Sequence, residues 1–176
     1  VVKTVPLFLA AAWCSIIAPG LYATVIRVPG DASNIQGGID LATLGDTVLV
    51  APGTYVENIS LKGKEITVTS EVGAEATIID GSNPPHADSA TVVYMAAGET
   101  PFTVLKGFTL RGGTGIWRAD WEAYLGGGIY CHGSSPTITE CIITQNEADD
   151  GGGIACEFGG PFIKGNLIEA NTANDH

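Results

Sequence analysis

The segment "TGIWRADWEAYLGG" (114–127) gathers the side chains best suited to meet a sugar. Trp117, Trp121 and Tyr124 are spaced four and three apart, among Arg118, Asp120 and Glu122. Aromatic faces stack on the apolar faces of sugar rings, and neighbouring polar groups fix the orientation by bonding hydroxyls. The same spacing suits a short helix whose aromatic face packs on the body of the protein. Both readings hold together if one ring stays exposed.

Other chemistry-bearing residues are fewer. Arg111 follows an apolar run directly and is expected to point outward, as a catalytic base or as a solvated side chain. Asp149 and Asp150 are a candidate carboxylate pair, or simply an acidic turn facing water. A shift of 25 places Asp149 over Asn174 and Asp150 over Asp175. Stacked oxygens of that kind suit a hard cation, so calcium is a possible cofactor at Asp149, Asp150 and Asp175. His86 and Asp88 stand in a proline-rich loop, "GSNPPHADSA" (81–90). Cys131 and Cys156 are also 25 apart, near enough as coil neighbours for a disulfide, though in-register parallel neighbours rarely have the side-chain geometry; with Cys141 the reading preferred is buried thiols, without metal-ligand spacing.

The elements that must position these residues follow from a repeat. "GGGIYCHGSSPTITECIITQNEADD" (126–150) is followed at once by "GGGIACEFGGPFIKGNLIEANTAND" (151–175). A fixed period in this range is the mark of stacked units. Ile138, Cys141, Ile143 and Asn146 are matched by Ile163, Asn166, Ile168 and Asn171, and earlier by Leu105, Phe108, Leu110 and Gly113. Short runs rich in Ile, Val and Thr, broken by Gly, Asn and Pro, are strands and turns. Copies in register would set like residues in parallel ladders around one core. Asn146 and Asn171 are expected in a left-handed turn, which Gly113 also suits, with their amides laddered. The step from Leu105 to Ile138 is longer than the repeat, which places an insertion at 114–127. That insertion, 81–90 and 146–150 each precede the same strand of their unit, so they should share one corner. Function concentrates on such loops.

At the front, Ser33 and Gln36 have capping-box spacing, and Ile35, Ile39 and Ala42 share a helical face. A capping helix over 33–44 is expected, weakened by Gly37 and Gly38. Residues 1–23 carry one cation, an apolar run and a Pro-Gly break, and read as a secretory signal. The remaining 24–176 form one domain, expected to continue beyond His176. The formal charge of −11, from 19 acidic and 8 basic residues, argues against nucleic acid and anionic membrane as partners. No membrane insertion is expected after signal removal.

"IQGGIDLATLGDTVLVAPGTYVENISLKGKEITVTSEVGAEATIIDG" (35–81) and "PTITECIITQN" (136–146) resemble the right-handed parallel β-helix proteins of the pectin-lyase-like superfamily. The resemblance implies an all-β fold, a right-handed parallel β-helix of about five coils with an N-terminal capping helix. It does not select an activity, since such folds serve lyases, epimerases, hydrolases, esterases and adhesins. "CHG" (131–133) is similar to a polygalacturonase element, but the aspartate pair follows it instead of preceding it. Three functions stay open: an exported polysaccharide-binding domain, a surface adhesin or spacer, and a fragment of a polysaccharide lyase or epimerase. The location implied is secreted, periplasmic or cell-surface.

Overall fold

Six aliphatic side chains stand one above another along the chain: Ile26, Val48, Val68, Leu105, Ile138 and Ile163. A computed structural model describes residues 22–174. The column runs through the largest sheet, whose parallel strands are Val25–Val28, Thr47–Val50, Thr67–Ser70, Val104–Lys106, Thr137–Thr139 and Phe162–Lys164. A second parallel sheet joins Gly53–Val56, Thr77–Asp80, Thr109–Arg111, Ile142–Thr144 and Leu167–Glu169. Its inward column is Tyr55, Ile79, Leu110, Ile143 and Ile168. The third joins Ile59–Ser60, Val93–Met95, Ile129–His132 and Ile154–Glu157, with Ile59, Val93, Ile129 and Ile154 in line. The fold is therefore all-β, with mostly parallel strands in stacked sheets and one helix, compatible with a parallel β-helix. The chain visits the three sheets in turn, and the columns converge on one apolar core.

Register follows from burial. Alternate residues of each strand face the core, so a slip of one residue would expose the whole column. The expected neighbours Ile129 and Ile154 are partners, and Leu105 pairs with Ile138 across the longer step. The left-handed residue of the turn is not Asn146 but the one before it. Gln145 has φ 55° and Ala170 has φ 52°, with Gly112 in the equivalent place. Asn146 is buried because its side chain, not its backbone, does the work. Its Nδ2 donates to Asn171 Oδ1 at 3.0 Å and to Leu110 O at 3.0 Å, while its Oδ1 accepts from Gly113 N at 3.0 Å. The amide ladder satisfies backbone groups that the turn leaves without a strand partner.

The helix is shorter than expected, Ile35–Leu41, and its cap is Asn34. Asn34 Oδ1 accepts from Gly37 N at 2.9 Å, and Gln36 bonds Asp40 and Ser60 instead of closing a capping box on Ser33. The body of the protein supplies further caps. Glu57 accepts from the amides of Ile35 and Gln36 at 2.9 and 3.0 Å, and Lys64 Nζ donates to the carbonyls of Ile39, Asp40 and Ala42. An anion at the N-terminus and a cation at the C-terminus both suit the helix dipole. Gly38 lets the helix dock closely: a Cβ there would lie 2.8 Å from Val48 Cγ1.

The three cysteines among the described residues, Cys131, Cys141 and Cys156, are free. Cys131 and Cys156 are register partners, and Cys131 and Cys141 are buried, but Cys156 is exposed. Burial pushes the Cys141 thiol up to about 11, so it stays protonated at neutral pH. The expected secretory signal lies, apart from its last two residues, outside the described residues, as does Asp175. Among the described residues no helix is long and apolar enough to cross a membrane.

Candidate functional site: a hairpin-covered corner

The insertion is a β-hairpin, not a helix. Gly115–Arg118 pairs antiparallel with Ala123–Leu125, and its other edge takes Ser89–Ala90 from the proline-rich loop. The residues explain the outcome. Ile116, Trp117 and Tyr124 favour extended backbone. Glu122, at φ 51°, turns the chain so that Trp117 and Tyr124 face each other across the strands. Their rings lie 5.1 Å apart at 60°, a cross-strand aromatic pair that a helix would not supply.

The two faces of the hairpin differ. Ala123 and Leu125 press on Tyr130, with Tyr94, Ile116 and Ala155 around them, in a small second core on the outside of the third sheet. Tyr130 points away from the main core yet is only 1% exposed, because the hairpin covers it. Trp117 and Tyr124 occupy the opposite face, where Trp117 is 40% exposed.

A polar cluster fixes the hairpin tip. Arg118 grips Asp120 with two bonds, at 3.0 and 2.6 Å, and also donates to the Tyr130 hydroxyl. Tyr130 donates to Glu157 Oε2, and Trp121 Nε1 donates to Glu157 Oε1 at 2.8 Å. His132 Nδ1 lies 3.5 Å from Glu157, its register partner. Burial would raise the Glu157 carboxyl, but the Tyr130 hydroxyl, the Trp121 indole and the Arg118 charge outweigh it and hold it below its ordinary value. Burial, with Glu157 alongside, pushes the Tyr130 hydroxyl upward. Tyr130 is thus a protonated donor at neutral pH and Glu157 an ionised acceptor.

The sign of the pH dependence follows. A depressed folded pKa means that Glu157 contributes fully above its ordinary value of 4.5 and loses that contribution as pH falls through its lower folded value. Amide exchange in 115–125 should therefore accelerate, relative to the core strands, in acid below that value. Glu157→Gln should show the faster exchange already at neutral pH. Equal protection of this segment in both proteins across the range would contradict the latch.

Beside the hairpin lies an open groove of about 330 Å³, lined by Ala87, Thr114, Tyr124, Glu147, Ala148, Asp149 and Asn174. All three loops expected at one corner contribute to it. Tyr124 is clasped by the acidic turn: its N–H donates to Asp149 Oδ2 at 2.7 Å, and its carbonyl accepts from the amides of Asp149 and Asp150 at 2.9 and 3.1 Å. Its hydroxyl donates to Asp88 Oδ1 at 3.1 Å. Glu147 Oε1 accepts from Asn174 Nδ2 at 2.7 Å.

The expected site residues thus divide. Trp117 and Tyr124 come together on the outer face of the hairpin, and Tyr124 also lines the groove. Trp121, 58% exposed, has its N–H tied to Glu157, and Arg118 and Asp120 hold each other. Arg111 points outward as expected but is not simply solvated; its Nε pairs with Asp80 at 2.9 Å. Asp149 and Asp150 hold the hairpin through the contacts above. Among the described residues no group of three or more His, Cys, Asp or Glu side chains could hold a metal ion. Tyr130, Glu157 and Glu147 were not singled out from the sequence. The available signal was strand alternation: Tyr130 and Glu157 alternate with the inward Cys131 and Cys156, which places them on the outer face.

No protein-family model, curated protein or solved structure matches the chain.

Proposed function

We propose that the chain is an exported right-handed parallel β-helix of the pectin-lyase-like kind, about five coils long, that binds polysaccharide at this corner. The observation that carries the reading is an aromatic pair, exposed Trp117 on half-buried Tyr124, of which Tyr124 lines an open groove with Glu147, Asp149 and Asn174. A rigid ring offers apolar area at low entropic cost, and carboxylate and amide groups accept and donate to sugar hydroxyls. The latch at Glu157 keeps the hairpin in one pose, so little ordering remains for the ligand to impose.

The test is calorimetry against a panel of oligosaccharides. Losing one stacked ring removes apolar contact of about 1.5–2 kcal/mol, so Trp117→Ala should weaken the best glycan roughly ten- to thirtyfold. Tyr124→Phe, which keeps the ring and loses the bond to Asp88, should cost less. Binding that ignores Trp117→Ala would remove the groove from the reading. Failure of every glycan would leave the chain as a spacer or adhesin.

A further inference from the structure

We propose that Met95, Cys131 and Cys156 form a binding site for a soft monovalent metal ion, copper(I). The three are register partners on neighbouring strands of the third sheet: Met95 pairs with Cys131, and Cys131 with Cys156. Met95 is the chain's one methionine, and no motif links it to the two cysteines. Stacking alone brings them into one column of sulfur. Met95 and Cys131 are fully buried, and Cys156 is exposed, which gives an ion its way in. The two thiols are in contact through a hydrogen bond. The site stands apart from the groove and does not depend on the polysaccharide reading.

The geometry favours an ion over a disulfide. Parallel strands hold register partners about 4.8 Å apart. A disulfide needs its sulfurs about 2.0 Å apart, with the Cβ atoms drawn inside the strand spacing. A metal–sulfur bond of about 2.3 Å makes a sulfur–metal–sulfur unit about 4.6 Å long, close to the spacing the strands already have. Thiolate and thioether donors select copper(I), and two or three of them satisfy it. Zinc asks for four ligands, and among the described residues no third His, Cys, Asp or Glu side chain joins the pair. Binding exchanges protons for metal: Cu⁺ and two thiols give a dithiolate complex of charge −1 and two H⁺. The copper stays copper(I), so no oxidant or reductant takes part. The ion would brace strands Ile129–His132 and Ile154–Glu157 from within, behind the Tyr130–Glu157 bond on their outer face.

The experiment titrates the reduced chain with copper(I) under argon, in competition with a chromogenic copper(I) chelator. Every protein measured carries Cys14→Ser, since Cys14 lies outside the described residues. The expected result is one equivalent bound, sulfur-only coordination by X-ray absorption, and a higher thermal midpoint, because the ion binds the folded chain. Cys156→Ser should weaken binding at least about a hundredfold, since a direct ligand contributes no less than outer-shell partners whose loss costs up to that much. Met95→Leu, which conserves volume, should weaken it by less and leave two sulfurs around the ion. Cys141→Ser should change nothing, because the Cys141 thiol donates to Thr139 O at 3.3 Å and stands outside the column. Thermal unfolding verifies that each variant is folded; Cys156→Ala serves if the serine variant is not.

Copper(I) bound no tighter by the parent chain than by Cys156→Ser would overturn the proposal. So would zinc bound as tightly as copper(I), or nitrogen and oxygen ligands around the ion. Isolation of the chain with Cys131 and Cys156 already joined as a disulfide would overturn it too. An affinity unchanged in Met95→Leu would overturn the three-sulfur site as stated.

Discussion

Gly127→Ala should leave the chain largely unfolded or severely destabilised. A Cβ at Gly127 would lie 2.5 Å from Glu147 O and 2.5 Å from Gly152 O, and both neighbours are backbone. A side chain can change rotamer to make room, whereas these peptides are held by the pairing that builds the stack. Gly127 O accepts from Val92 N at 3.1 Å, Gly128 N donates to Gly152 O at 3.0 Å, and Glu147 N donates to Gly113 O at 2.9 Å. Relief would break several such bonds at once. Overpacking usually costs about 1–3 kcal/mol, and backbone against backbone belongs at or above the top of that range. That is a large share of the stability of an ordinary domain. Gly160→Ala is the comparison, since nothing lies within 4 Å of its Cβ. It should change stability by no more than about 0.5 kcal/mol. Equal denaturation midpoints for the two variants would show that the chain does not stack closely at Gly127.

The second large effect is expected at Asp46, where Asp46→Ala should cost about 3 kcal/mol. Its carboxylate is 4% exposed and accepts four bonds. Thr24 gives its amide at 2.7 Å and its hydroxyl at 2.9 Å; Thr43 gives its amide at 2.7 Å and its hydroxyl at 2.8 Å. One side chain thus ties the segment entering the first strand to the turn that follows the helix. Alanine would leave two amides without an acceptor, which is more costly than the bonds are favourable. The amides of Thr24 and Thr43 hold the Asp46 carboxyl far below the ordinary carboxylate range. Its contribution is therefore complete above the ordinary value of 3.8 and lost only in stronger acid. Urea titrations of wild type and variant should differ by a constant amount from neutral pH down to that value. A difference already gone at mildly acid pH would mean that the four-bond cage does not form.

The triple glycine also shows how a sequence can state a requirement without its reason. The repeat at Gly126 and Gly151 announced a stack, and the columns through Ile138 and Ile143 appear where the spacing put them. A period is a local property, written in the order of residues, so it survives without coordinates. The longer step from Leu105 to Ile138 likewise located the insertion, because the register on either side had to be restored. What filled that step was not legible. Trp117, Trp121 and Tyr124 have helical spacing, yet the edge offered by Ser89–Ala90 and the outward ring of Tyr130 make a hairpin the better partner. The helix cap moved from Ser33 to Asn34 for a similar reason: Glu57 and Lys64, both remote in sequence, supply the rest of the capping.

By itself, then, the sequence determined an all-β chain of stacked parallel strands, one covering helix, and a corner where three loops meet. Only the tertiary structure decided that Glu157 and Tyr130 lie beneath the hairpin, that Arg118 and Arg111 are held by carboxylates, and that Tyr124, Glu147 and Asp149 line one groove. The physical reason is that periodic burial is encoded between near neighbours, while the partner of a charge or an exposed edge is chosen among residues brought together by folding.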